Sequence, residues 1–271
     1  MPPSINNEVN LLLYVIATPI GHLGDLSQRA KDTLASCDAI LCEDTRHSLK
    51  LLNHFSIQKK LISYHKFKEK KALDRIIQEL KNGKTLGLIS DAGTPCINDP
   101  GQILVNACIQ EGIPISAIPG PCSVIQALVL SGFDTSRFQF IGFLPKKGKN
   151  VLKEALAFPG TTIAFESPER LLATLALIDE NRHLAVAREM TKTFEECRRG
   201  TAKELLEHFR KHPPKGEIVL VIPEGDLPDE LSPEELISLL RKYFGLSLKE
   251  AIKCAARLKG VPKRSIYQTT I

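Results

Sequence analysis

Five short segments of the chain combine glycine, proline, small hydroxyl residues and charged groups at high density: TPIGHLGD at 18–25, CEDTRHS at 42–48, SDAGTPCINDPG at 90–101, PGPCS at 119–123 and FESPER at 165–170. Carboxylates such as Glu43, Asp44, Asp91 and Glu166 can take a proton or face a positive charge. The guanidinium forks of Arg46 and Arg170 match carboxylate and phosphate partners alike. A loop of small residues lets backbone N–H and C=O groups approach a polar ligand, and Gly93 accepts backbone angles barred to other residues.

Each segment also has a purely structural use. Ser123 with Gln126 reads as a capping box, Ser167 before Pro168 as an N-cap with proline at the first helical position, and Asp99 before Pro100 as the same device. Asp44 or Thr45 suits the cap of a helix starting near Arg46. Capping leaves Gly21, Gly24, Gly93, Glu43, Arg46 and Arg170 without a task. Five such loops at one sheet edge point to a site.

Two nucleotide signals fail. No G-x-G-x-x-G follows the first strand. The GKT at 83–85 has Gln78 where a phosphate loop needs its earlier glycine, and it lies between helix and strand in the reverse order. GFLPKKGKN, at 142–150, has five residues between its glycines instead of four and ends in asparagine. Nothing here points to ATP or GTP hydrolysis.

The loops need elements to hold them. Apolar, β-branched runs at 12–17, 39–42, 61–64, 85–89 and 115–118 alternate with helical patterns at 27–36, 47–53, 70–82 and 102–111, the rhythm of a parallel sheet with crossover helices. A helix over 124–130 leads to a second set, with strands at 138–143, 162–165, 184–188 and 217–222 and helices at 171–180 and 202–210. Ligands of open α/β sheets gather outside the carboxyl ends of the strands, where the five loops fall. IPGP at 118–121 and PEGDLPDELSP at 223–233 mark boundaries, giving an expected α/β domain over 11–119, a second α/β domain over 120–225 and a helical tail over 229–271. In the tail, Ser232 with Glu235 and Ser247 with Glu250 are capping boxes, and Gly245 and Gly260 end helices.

The 271 residues, 43% hydrophobic and 25% charged, suit two domains with buried cores. The run LLLYVIA is too short to cross a membrane, and the residues before it lack the positive start of a secretory signal, so the expected place is the cytoplasm without membrane contact. Seven cysteines with no C-x-x-C spacing read as reduced core thiols and give no metal site. The net charge of +5 is uneven: residues 241–271 carry eight Lys or Arg against the single acid Glu250, with further basic clusters at 59–71 and 145–153. Cations interleaved with Tyr64, Phe67, Tyr243 and Tyr267 suit a phosphate backbone.

TPIGHLGD, EDTR, SDAGTPCINDPG, PGPCSVIQALVLSGF, GFLP, FESPER and AREMTKTFEECRRG, in this order, resemble the tetrapyrrole methylase family of class III S-adenosylmethionine-dependent methyltransferases. Within it they resemble the group that methylates a cytidine ribose 2'-hydroxyl of small-subunit (16S) ribosomal RNA. The resemblance runs over about 13–222 and continues more weakly into the tail. It implies two α/β domains with S-adenosyl-L-methionine in the cleft between them. Pro19, Asp91, Ala92, Gly93, Thr94, Cys122 and Ser123 would contact this donor, joined by Phe165 and Glu166 from the second domain. A homodimer is what the family suggests.

Two positions depart from the group: His22 stands where asparagine is usual, and Glu169 where histidine is common. Glu43 and Asp44 are the candidates to take the hydroxyl proton, with Glu166 next, and Arg46 and Arg170 to hold phosphates or orient carboxylates. Two rival readings keep their place: a tetrapyrrole acceptor, and a non-enzymatic binding protein whose tail is a helix-turn-helix.

Overall fold

The computed structural model describes residues 12–66, 69–145, 149–224 and 231–267. Parts of the expected basic clusters at 59–71 and 145–153, part of the linker at 223–233, and the two ends of the chain lie outside them.

Five short strands, β1 (Leu13–Ile16), β2 (Ala39–Cys42), β3 (Lys60–Ser63), β4 (Leu86–Leu88) and β5 (Ile115–Ile118), form an all-parallel sheet in the order β3-β2-β4-β1-β5. Strands β2 and β4 are buried at every residue, as continuous apolar runs covered on both faces by helices must be. The covering helices are α1 (Gln28–Ser36), α2 (Thr45–His54), α3 (Glu69–Lys81) and α4 (Gln102–Gln110). One face of the sheet packs Leu41, Leu86 and Leu88 against Ile76, Leu80 and Leu104; the other packs Ile16 and Ile40 against Leu34 and Leu52. Because β4 returns between β2 and β1, the chain reverses direction across the sheet there. The crevice at such a reversal is where open α/β sheets take ligands.

Helix α5 (Ser123–Ser131) opens the second part, whose sheet runs β6-β7-β10-β8-β9. Its strands are β6 (Phe138–Phe143), β7 (Thr161–Glu166), β8 (His183–Arg188), β9 (Glu196–Thr201) and β10 (Ile218–Ile222). Only the β6–β7 pair is parallel, and the other pairs are antiparallel, so this sheet departs from the parallel arrangement that the alternation suggests. Strand β9, ECRRGT, has no apolar run to announce it. It is an edge strand whose arginines face solvent, a common guard against edge-to-edge pairing. Helix α6 (Lys149–Leu156) likewise begins within the basic cluster at 145–153, where the sequence pattern assigns no element. Helices α7 (Pro168–Leu175) and α8 (Ala202–Lys211) cover one face, while α5 covers the other together with Ile20 and Ala92 from the first part.

The tail forms α9 (Pro233–Phe244), α10 (Leu248–Leu258) and α11 (Lys263–Tyr267) around its own small core of Leu236, Leu240, Ile252 and Ala255. Both tail capping boxes are formed, and Gly245 ends α9 in the left-handed conformation. Two other expected caps do not form. Cys122, not Ser123, precedes α5 and gives no side-chain bond, and α4 starts after Gly101, which frees Asp99 from capping. Among the described residues no helix is long and apolar enough to cross a membrane, and no group of side chains has metal-site geometry. All seven cysteines are free; Cys37, Cys42 and Cys108 are buried in the cores, while Cys96, Cys122, Cys197 and Cys254 are only partly buried, which corrects the expectation of core thiols throughout.

Candidate active site

A cleft of about 460 Å³ opens between the two sheets, at the carboxyl ends of the first-sheet strands and of β7. Four of the five loops reach it through Ile20, Glu43, the 91–94 segment and the Cys122–Ser123 pair, and FESPER completes it through Phe165 and Glu166. Asp91, Ala92, Gly93, Thr94, Cys122, Ser123, Phe165 and Glu166 all line it. Pro19 is buried one residue short of the wall, which Ile20 supplies.

The small residues of SDAGTP do more than bare the backbone. Gly93 sits at φ +75°, and its N–H and C=O exchange hydrogen bonds with Thr18 at 3.1 and 2.9 Å, stapling the loop after β4 to the loop after β1. A Cβ there would meet Ile20 at 3.1 Å, and the left-handed backbone strains any other residue. The Thr94 hydroxyl donates to the Pro121 carbonyl at 3.0 Å and so ties the same loop to the segment between the sheets. Further on, Cys96 and Asn98 have φ of +71° and +68°, and the Gly101 N–H is held at 2.8 Å by the buried carboxylate of Glu69. Strained residues persist only where their surroundings over-determine them. This segment delivers Asp99 to the cleft, a residue that its sequence context disguises as a helix cap.

The charge on the wall is one-sided. Glu43, Asp91, Asp99, Glu166 and Glu217 line the cleft, and among the described residues no lysine, arginine or histidine does. Desolvation, then the nearby Asp91, raises the Glu43 pKa, against a lowering pull from His65. Burial and the Glu43 charge push Asp99 up to about 6, with a Ser90 hydroxyl opposing and Asp91 and Glu217 adding to the rise. Like charges sharing a dry site oppose one another's ionisation, and a bound cation relieves them.

Glu166 differs. Its side chain is 1% exposed and its oxygens are engaged: Oε1 accepts from the Ser167 N–H at 2.8 Å and pairs with Arg170 at 2.5 Å, and Oε2 accepts from Thr174 at 2.6 Å. Arg170 lies against this carboxylate and lines neither the cleft nor the groove beside it.

That adjoining groove is lined by Glu43, Asp44, Thr45, Arg46, Ser63, His65, Lys66 and Asp91, so it shares Glu43 and Asp91 with the cleft. Its cations, Arg46 and Lys66, face open solvent. Asp44 caps α2 by accepting from the Arg46 N–H at 2.8 Å, and the Arg46 guanidinium reaches back to it at 3.2 and 2.8 Å. Those bonds from Arg46 hold the Asp44 carboxyl down to about 2, although Arg46 itself is 88% exposed. The Asp91 carboxylate accepts from the Asp44 backbone N–H at 3.0 Å and so locks EDTR to the SDAGTP loop.

His22 lies outside the cleft. Its Nδ1 accepts from the Gly24 N–H at 3.1 Å, and its ring lines a separate groove with His54 and Lys192. Its backbone N–H donates to Thr191 at 3.0 Å, across to the second sheet, and a Cβ on Gly21 would strike Lys192 at 2.4 Å. The first loop's glycine thus serves the docking of the two parts. Sequence reading missed Asp99, Glu217 and Phe143. Asp99 carried a signal as an acid inside the most unusual loop of the chain, and Phe143 lies in the GFLP segment of the family resemblance; Glu217 carried none.

The sequence profile described as Tetrapyrrole (Corrin/Porphyrin) Methylases matches residues 12–206. A protein of Halalkalibacterium halodurans named "Ribosomal RNA small subunit methyltransferase I" is 45% identical over 94% of this chain and 93% of its own length. Its namesake from Haemophilus influenzae is 42% identical over 95% of both. Among solved structures, a diphthine synthase superposes with a TM-score of 0.62 at 15% identity, over 86% of this chain and 95% of its own, which is likeness of fold. Profile, relatives and architecture agree, and the chain belongs to the tetrapyrrole methylase family.

Proposed function

We propose that this protein transfers a methyl group from S-adenosyl-L-methionine to the ribose 2'-hydroxyl of a cytidine in 16S ribosomal RNA of the small ribosomal subunit. One observation carries the reading: a cleft whose described wall is anionic joins, through Glu43 and Asp91, a groove that bears Arg46 and Lys66. The first chamber suits a positively charged sulfonium and repels a polyphosphate. The second also carries the carboxylates of Glu43, Asp44 and Asp91, and it is the exposed Arg46 and Lys66 at its mouth that suit an anionic backbone.

The cleft volume lies within the range of small-ligand sites. Apolar Ile20, Val124, Phe165 and Met190 offer walls to a flat ring, while Asp91, Ala92, Gly93, Thr94, Cys122 and Ser123 offer the polar edge. When bound, the donor supplies an electrophilic methyl carbon. The chain's own contribution is to hold the acceptor oxygen in line with it at about 3 to 3.5 Å, which removes much of the barrier by orientation. As the C–O bond forms and the C–S bond breaks, the hydroxyl proton must leave. Of the three candidate acids we assign this to Glu43, at the junction of the chambers and with a raised pKa. Asp44 is held ionised by Arg46 and is a poor proton acceptor, and Glu166 is fully engaged. Arg46 contacts phosphate at the groove mouth, while Arg170 fixes Glu166 and with it the wall after β7.

In this reading the units are 11–119, 120–225 and 229–271, the working place is the cytoplasm, and the enzyme is a homodimer. Exposed Ile125 and Val129, one turn apart on α5, offer an apolar surface for a second copy. The test is incubation with labelled methyl donor and small ribosomal subunits, followed by mapping of the label. Label on a cytidine 2'-oxygen of 16S RNA is expected. Label on a base, or methylation of a corrin precursor in its place, overturns the assignment.

A further inference from the structure

The basic tail sits at the wrong end of the molecule to serve its own cleft directly. Strand β10 runs antiparallel to β7, with Ile218 opposite Glu166 and Ile222 opposite Thr162, so the chain leaves the second sheet at the end away from the cleft. The last turn of α9 is fastened at that end. The Arg137 guanidinium, one residue before β6, lies over the Phe244 ring at 4.1 Å and the Phe158 ring at 5.4 Å; Tyr243 meets Phe158 edge-on, and Lys242 pairs with Glu154 of α6 at 2.8 Å. Phe143 and Phe165, at the other ends of β6 and β7, line the cleft. Six residues of strand at about 3.3 Å each put roughly 20 Å between the anchor and the cleft.

Beyond that anchor the charge is concentrated on one surface. Helix α10 buries Ala251, Ile252, Ala255 and Ala256 against α9 and α11. Lys249, Lys253 and Arg257 are exposed at successive four-residue steps, a row of cations about 6 Å apart along the helix. Exposed Lys263 and Arg264 of α11 extend the charge. The acid of α10, Glu250, is turned into the capping box with Ser247, and among the described residues the row has no ion pair, only the proximity of Glu250 to Lys253.

We propose that the Lys249, Lys253 and Arg257 row, with Lys263 and Arg264, is a second RNA-binding surface that grips ribosomal RNA phosphates about 20 Å or more from the ribose being methylated. This rests on the RNA-methyltransferase reading and adds that the enzyme measures an extended, folded RNA surface through two separated contacts. The cleft contact selects the reacting sugar; the tail contact supplies affinity by counterion release.

The test uses the full chain carrying Lys249→Glu, Lys253→Glu and Arg257→Glu together, and a milder triple glutamine variant in case charge reversal disturbs folding. Methylation kinetics are measured on small subunits and on a short fragment of 16S RNA around the labelled nucleotide, and RNA affinity is measured against salt. On subunits we expect KM to rise about tenfold with kcat within about twofold, and the log–log salt slope to become shallower by about 2 to 3, from three lost phosphate contacts. On the short fragment variant and parent should coincide. Unchanged subunit KM and salt slope in both variants overturn the proposal while leaving the methyltransferase reading intact. Loss on the fragment equal to that on subunits also overturns it, because the tail would then act at the cleft. Weakened binding to subunits with unchanged binding to protein-free 16S RNA would mean that the surface meets a protein, and overturns it too. Failure of the parent to methylate any RNA would sink the function reading first.

Discussion

The carboxylates after β2 and after β7 occupy equivalent places, at the carboxyl end of a strand and just before a helix, yet they are handled in opposite ways. Glu166 is buried, pairs with Arg170 and accepts from Thr174 and Ser167. Glu43 is partly buried beside Asp91 and Asp99, and its raised pKa reflects desolvation and like charge. Position in the fold does not make a carboxylate reactive; the partners do. Satisfied, the group is scaffold; desolvated beside its own kind, it is poised to bind a cation or a proton.

The sharpest way to break this contrast is Glu43→Gln. If Glu43 takes the proton, methylation should fall by about 10² to 10³, in the range of a lost general base, with donor affinity within a few-fold. In the parent, rate should climb with pH through a limb displaced above the ordinary carboxylate range and then level off. A rate within tenfold of the parent returns the role to another group. Glu166→Gln is expected to act on stability, because it strands Arg170 beside a neutral amide: a loss of about 3 kcal/mol, visible as a fall in Tm of roughly 10 °C.

Asp99→Asn sharpens the comparison by its sign. The folded-state pKa of Asp99, about 6, lies above the ordinary aspartate value near 4, so the folded state binds the proton more tightly than the unfolded chain. The stability this adds is present at low pH and is lost as pH rises from about 4 to 6. Removing the charge should therefore raise stability at pH 8 by about 1 kcal/mol, after discounting for solvent, and leave pH 4 nearly unchanged. The same variant should weaken donor binding several-fold by titration calorimetry. Asp44→Asn, already neutralised by Arg46, should cost no more than about threefold in rate, mostly through KM for RNA. His22→Asn should be nearly silent, since asparagine can cap the same turn from the same place.

Much of the site was legible as sequence because backbone chemistry writes itself into residue type. Gly93 must be glycine at its left-handed angle, SDAGTP must be small where two loops are stapled together, and an acid and an arginine after β2 announce a polar site. Strand β9 was not legible, because an edge strand needs charge more than hydrophobicity. Asp99 was misread because the Asp-Pro pair has a local use that the chain did not adopt.

By itself the sequence determined the two α/β parts, the helical tail and which loops crowd the strand ends, since periodicity, turn residues and caps are local properties. Tertiary structure decided which carboxylate is engaged and which is left beside its own kind, that Arg170 serves Glu166, and that the basic tail lies a strand's length from the cleft. These depend on burial and on distances between residues far apart in the chain, which govern electrostatic free energy and which no local pattern encodes.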